Sequence, residues 1–137
     1  MGKPQIDTAA SLDAAKEALE RFLDVNVDPD GAHSFQHAGV PGAVQAVELA
    51  DGLVVLSLTC VVPWDLPADA SLFERLALRA GQGLFGTLGA VHTEHGLDVI
   101  LRYAFPATGL ESASLGTLLM LVISTASQLR SDLLAGT

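Results

Sequence analysis

The groups in this chain that could do chemistry are four histidines, one cysteine and a scatter of carboxylates. His92 and His95 flank Glu94, and His33 and His37 bracket three residues, spacings that invite a metal ion. On a strand, however, His92 and His95 point to opposite faces. His33 and His37 lie in an extended stretch, not on a helix that would align them. All four read as surface histidines, and no metal ligand set is assigned. Cys60 sits among Val54, Leu56, Leu58 and Val62. That setting makes it a small buried hydrophobe rather than a thiolate nucleophile, which needs a polar, accessible cleft. No G-x-S-x-G context presents a serine, and no two carboxylates are placed for acid–base work. No catalytic residue and no cofactor are therefore expected. The rival is a small-ligand or metal-binding sensor, or an enzyme, with a site near His92, Glu94, Arg102 and Tyr103, the best candidates for a convergent polar cluster.

Two motifs match in letters but not in setting. Gly81-x-Gly83-x-x-Gly86 spells the dinucleotide fingerprint, which works only between a strand and the helix whose N-terminus receives the pyrophosphate. Here the glycines follow a helix, and they read as its stop. Asn26 to His37 resembles a calcium loop through Asn26, Asp28, Asp30 and Gly31, but His37 stands where a bidentate glutamate is required. That stretch reads as a solvated acidic turn. Trp64 lies in a loop between prolines, either closing the end of a sheet or serving as an anchor at a protein interface.

Composition bounds what these residues can serve. The chain has 137 residues, 50% hydrophobic and 17% charged, enough for one domain with its own core spanning residues 1–137. Aromatics make up only 5%, so that core must be aliphatic. The apolar content is high for a lone small body, and a subunit interface is the simplest place for the excess. Asp and Glu outnumber Lys and Arg by 16 to 7, a formal net charge of −9. Such a surface repels a phosphate backbone and attracts a basic protein. The absence of a Lys/Arg run removes the usual anionic-membrane patch. Met1 to Asp7 carry no hydrophobic signal core, and the longest apolar run, Leu118 to Ile123, is short for a bilayer. A cytoplasmic protein is expected.

The periodicities then say which elements position these groups. Leu12, Ala15, Leu19, Phe22 and Leu23 form a helical stripe over residues 8–23. Asp28-Pro29-Asp30-Gly31 is a turn. Ser34 to His37 is a short strand, ended by Val40-Pro41-Gly42. Ala43 to Ala50 follows, then a hairpin at Asp51-Gly52. Leu53 to Val62 is the clearest strand: Val54, Leu56, Leu58, Cys60 and Val62 make one wholly apolar face. Ser71 and Glu74 form a capping box that opens a second helix, running to about Leu84. Leu88 to Thr93 and Leu97 to Phe105 pair around Glu94-His95-Gly96. A last helix covers roughly residues 112–134, with Leu121 and Ile123 off its main stripe. The order α-β-β-β-α-β-β-α, with hairpins, specifies an α+β fold: an antiparallel sheet packed by helices.

This element order, the run Leu97-Asp98-Val99-Ile100-Leu101-Arg102-Tyr103-Ala104-Phe105-Pro106 before a long final helix, and the stretch from Ser71 to Gly89 resemble the YbjN-type bacterial proteins and the class I chaperones of type III secretion. The resemblance implies a non-enzymatic, chaperone-like homodimer that holds a protein client, with a role in stress response or regulation. It also implies a dimer contact on the second helix at Leu72, Phe73, Leu76, Ala77, Ala80 and Leu84. An exposed sheet edge can accept a client strand, and Leu53, Val55, Val61 and Trp64 could supply side-chain pockets beside it. The acidic surface favours a basic client, a nucleic-acid-binding protein being one such kind. Direct nucleic-acid and membrane binding are not expected.

Overall fold

The computed structural model describes residues 8–82, 85–107 and 110–135. Its elements are helix α1 (Thr8–Leu19), strands β1 (Asn26–Val27), β2 (His33–His37), β3 (Val40–Ala50) and β4 (Leu53–Val61), helix α2 (Ala70–Ala80), strands β5 (Thr87–Thr93) and β6 (Gly96–Pro106), and helix α3 (Ser112–Ala135). The six strands form one antiparallel sheet in the order β1-β2-β3-β4-β6-β5. The α+β class and the run of elements are as the sequence implies, with one strand more. That strand, β1, has two residues, too few for any alternation to show.

All three helices lie on one side. Val54, Leu56, Leu58, Cys60 and Val62 are at most 1% exposed, and the apolar alternation of β4 is what buries them. Across the register Leu58 stands opposite Val44 and Tyr103, and Cys60 opposite Gly42 and Leu101. Onto this face α3 lays Leu115, Leu119, Val122, Ile123, Ala126, Leu129 and Leu133. Helix α1 adds Ala15, Ala18 and Leu19, and packs against both α3 and β3. Helix α2 anchors through Leu72 and Leu76 beside β5. Each fully buried aliphatic side chain is worth about 1.5–3 kcal/mol relative to exposure, so this side carries the stability. Helix α3 as a whole is long and apolar enough to cross a membrane by length and composition, a property that the short run Leu118–Ile123 did not show. Its eight buried residues are committed to this core.

Several boundaries differ from expectation. Helix α1 stops at Leu19, and Phe22, expected on its buried stripe, is 56% exposed. The amides of Phe22 and Leu23 both return to the Leu19 carbonyl, turning the chain so that β1 can reach β2. Val40-Pro41-Gly42 does not end a strand but begins β3, after a turn at Ala38-Gly39 with positive φ at both residues. Pro41 pairs only at the hairpin end, opposite Gln36. Gly42 is there because the Phe35 ring lies over it, and a Cβ would sit 2.5 Å from Phe35 Cζ. Helix α2 is capped by Asp69 rather than by Ser71 with Glu74: Asp69 Oδ1 accepts from the Leu72 amide at 2.8 Å. A carboxylate there also complements the helix dipole. Helix α2 ends at Ala80, and Leu84 lies outside the described residues. Ile123, read as off the stripe of α3, is fully buried, whereas Leu121 is 45% exposed.

Candidate functional site

Because side chains alternate along a strand, the burial of one face of β4 hands the other to whatever lies outside. That outward face carries Val55, Ser57, Thr59 and Val61, all half-buried. Register extends it sideways: Val55 faces Val47, Thr59 faces Ala43 and Arg102, Val61 faces Ile100, and Ile100 faces Gly89. Val91 joins it opposite Asp98. Val47 and Val91 are almost half exposed. Among the described residues no helix covers this face. Arg102 is the sole Lys or Arg within the strands, and its Nε donates to Thr59 Oγ1 at 3.4 Å. Asp98 accepts from the Asp65 amide. The surface is thus broad, small-residued and sparsely charged, with most acidic groups placed on helices and turns around it.

A second apolar surface lies on the flank. In α2, Phe73, Ala77 and Ala80 fall on one exposed stripe at helical spacing, with Phe73 43% exposed. Ala77 and Ala80 stand beside Leu88, Gly89 and Ala90, and a groove of about 190 Å³ runs between Leu76, Ala77, Ala80 and these strand residues. Strand β5 is the outermost strand, and no described strand pairs with its far side. Leu72 and Leu76, placed with this stripe by the family resemblance, are instead buried in the core. They hold α2 down, and only Phe73, Ala77 and Ala80 of the six are described and exposed.

The four expected client-binding residues do not form one patch. Leu53, Val55 and Val61 share the open-face parity of β4, but Leu53 and Val61 are about 27 Å apart along it at roughly 3.4 Å per residue. Trp64 is on the helical side, 44% exposed, with the Arg130 guanidinium 4.9 Å from its ring centroid. Arg130 Nη1 also donates to the Val62 carbonyl, so α3 clips the end of β4 and the loop after it. Nothing in the sequence linked Trp64 to Arg130, 66 positions away. Ile100 and Val91, by contrast, were within reach of the alternation that found Val55 and Val61.

The rival cluster is dispersed. Arg102 and Tyr103 are consecutive in β6 and point to opposite faces. Tyr103 stacks with Phe85 and Phe105 at 5.2 and 5.4 Å. Thr87 is the β5 partner of Arg102, and His92 lies five residues further along, about 17 Å away. His92, Glu94 and His95 are exposed at the β5–β6 turn. No group of three or more His, Cys, Asp or Glu side chains among the described residues is arranged to hold a metal. The calcium-like segment is a hairpin between β1 and β2. There Asp30 Oδ1 accepts from the Ala32 amide at 3.0 Å and Asp28 Oδ1 from Ser34 Oγ at 2.8 Å. Of the fingerprint glycines, Gly81 follows the last turn of α2, Gly83 lies outside the described residues, and Gly86 enters β5 with φ +127°. Cys60 is buried, and desolvation pushes its thiol up to about 12, leaving no thiolate at ordinary pH. The histidine reading needs one correction: His33 is not on the surface but 5% exposed, because its register opposite Val44 turns the ring inward.

No protein-family model matches the chain, and no curated protein matches it in sequence.

Proposed function

We propose that this protein is a non-catalytic, chaperone-like adaptor that pairs with a second copy through α2 and β5 and holds a protein client against the open face of its sheet. One observation carries the reading: a six-stranded sheet whose helices and core all lie on one side leaves its other side, Val47, Val55, Val61, Val91 and Ile100 included, without a covering helix among the described residues. Apolar faces of that extent on a small body mark interaction surfaces. The division of labour follows from shape. The exposed stripe of α2 and the free edge of β5 are contiguous and self-complementary in chemistry, which suits a two-fold pair. The flat, sparsely charged face suits a client, and the net charge of −9 steers a basic one toward it from a distance. The element order supports the likeness to secretion chaperones and YbjN-type proteins as a likeness of architecture.

Sedimentation at micromolar concentration should give twice the 14.2 kDa chain mass, and Phe73→Glu with Ala77→Glu should return it to one. A compact wild-type monomer would overturn the pairing. Client capture is tested by affinity purification from the native cell with wild type and with Val55→Lys/Val61→Lys. The client should be lost from the variant, and calorimetry on the recovered client should show affinity falling as salt rises. Retention by the variant would move the client off the open face.

A further inference from the structure

The free edge of β5 lacks the features that ordinarily keep sheet edges apart: shortness, charge, proline or a bulge. Strand β1 has two residues, and the stretch of β3 beyond its pairing with β2 carries Glu48 and a register shift beside it. Strand β5 has no charged residue and no proline, and it pairs with β6 from Thr87 to Thr93 without a shift. The hydrogen bonds of β6 fix which backbone groups this edge presents. Leu97 exchanges backbone hydrogen bonds with Leu66, while the Val99 amide donates to the Pro63 carbonyl and the Val99 carbonyl accepts from the Val62 amide. Both residues therefore spend their N–H and C=O groups on the side away from β5. Their β5 partners, His92 and Ala90, stand in non-hydrogen-bonded pairs, so their own N–H and C=O groups point out from the sheet. Alternation adds Leu88. These three residues lie symmetrically about Ala90, the midpoint of the strand.

From this pattern we infer that two copies join by running their β5 strands antiparallel across a two-fold axis at Ala90, an inference that rests on the pairing proposed above and gives it a register. Ala90 exchanges both backbone hydrogen bonds with Ala90 of the partner subunit, and Leu88 does so with the partner's His92. Every outward N–H and C=O group of β5 then has a partner, and each strand is opposed along its whole length. A shift along the strand would leave some of these groups unpaired or set outward groups against inward ones. Side chains suit the register. The residue that meets its own copy on the axis is the small Ala90, and Gly89 leaves room for the partner's Val91 on the open face. Charge suits it too. Two bodies of net charge −9 repel, and they can close only where charge is absent, as it is on β5 and on Phe73, Ala77 and Ala80 of the adjoining α2. The axis stands perpendicular to the sheet, so all the helices fall on one side. The two open faces join on the other into one continuous surface, with Gly89 and Val91 of both copies at its seam.

The test begins with the wild-type chain. In a sample mixed from isotope-labelled and unlabelled copies, filtered NMR should show a contact between the α-protons of Gly89 and the partner's Val91. The amides of Leu88, Ala90 and His92 should exchange with solvent slowly, although no strand of their own chain accepts from them. Ala90→Pro then removes one outward N–H and no hydrogen bond within the chain, a change that edge strands tolerate. It should sediment at the single chain mass of 14.2 kDa with an unchanged circular dichroism spectrum, and Leu88 and His92 should exchange roughly tenfold faster or more. Ala90→Ser, which keeps the N–H, should remain paired. A wild-type pair in which these three amides exchange freely would overturn strand pairing while leaving a contact through α2. A Gly89–Gly89 or Val91–Val91 contact between copies would overturn the register alone. A wild-type monomer would remove the pairing itself, and this inference with it.

Discussion

Leu58 and Thr59 are neighbours in β4, yet their side chains meet different worlds. Leu58 is fully buried under α3, opposite Val44 and Tyr103. Thr59 faces away among Ala43 and Arg102, half-buried by its strand neighbours alone. One side of the sheet is thus a completed core and the other a surface with no internal task. Stability and recognition have been assigned to opposite parities of the same strands. Substitutions can therefore be chosen to touch one without the other.

The largest contrast is expected from adjacent truncations. Leu58→Ala should cost about 3 kcal/mol, transfer plus cavity, whereas Thr59→Ala should cost under about 0.5 kcal/mol, both read from urea unfolding. Similar costs would erase the distinction between the faces. Next comes Gly42→Ala, which places a methyl 2.5 Å from the Phe35 ring and should destabilise by about 2 kcal/mol through overpacking. Gly89→Ala, on the open face with its nearest contact at 3.5 Å, should be close to neutral.

Cys60 gives a third handle, through pH. Burial raises its thiol from 9.0 to about 12, so the folded protein keeps a proton that the unfolded chain gives up. This contribution is fully present below pH 9 and is lost as pH rises toward 12, at about 1.4 kcal/mol per unit. Unfolding free energies at pH 8.5 and 10 should show that slope in wild type, beyond what Cys60→Val retains. Identical slopes would mean that the core side is wetter than its packing implies. Trp64→Ala should cost about 1 kcal/mol through the lost contact with Arg130, with no effect on anything bound at Val55 or Val61. Loss of client in this variant would join the two sides that the structure separates.

What the sequence could reveal follows the same division. Within Leu53 to Val62 the alternation of Val54, Leu56, Leu58, Cys60 and Val62 is periodic, and it announced both the strand and its buried face. Asn26–Val27 and the β3 start at Val40-Pro41-Gly42 were hidden, because a two-residue strand has no period and Pro-Gly ordinarily marks a break. Only the nearby ring of Phe35, seven positions earlier, explains why a glycine stands inside that strand. Asp69 and Ser71 both lie at plausible cap positions, and the choice rests on backbone geometry, with Asp69 at φ −121° and ψ 166°. His33 reads as polar and outward in any one-dimensional pattern. Its inward turn is a consequence of pairing with Val44, which no local spacing encodes. The family resemblance named Phe73, Ala77 and Ala80 only in one set with Leu72, Leu76 and Leu84, and separating the exposed stripe from the buried Leu72 and Leu76 needed the sheet beneath.

The two borders of the sheet are unequal. Strand β5 offers seven residues of backbone at one border, while β1 offers two at the other. The far border is stepped rather than straight: β1 covers only His33 and Ser34 of β2, and β2 covers β3 only as far as Val44. A chain paired along β5 would find no single continuous strand there to extend, so growth would favour a closed pair over a filament.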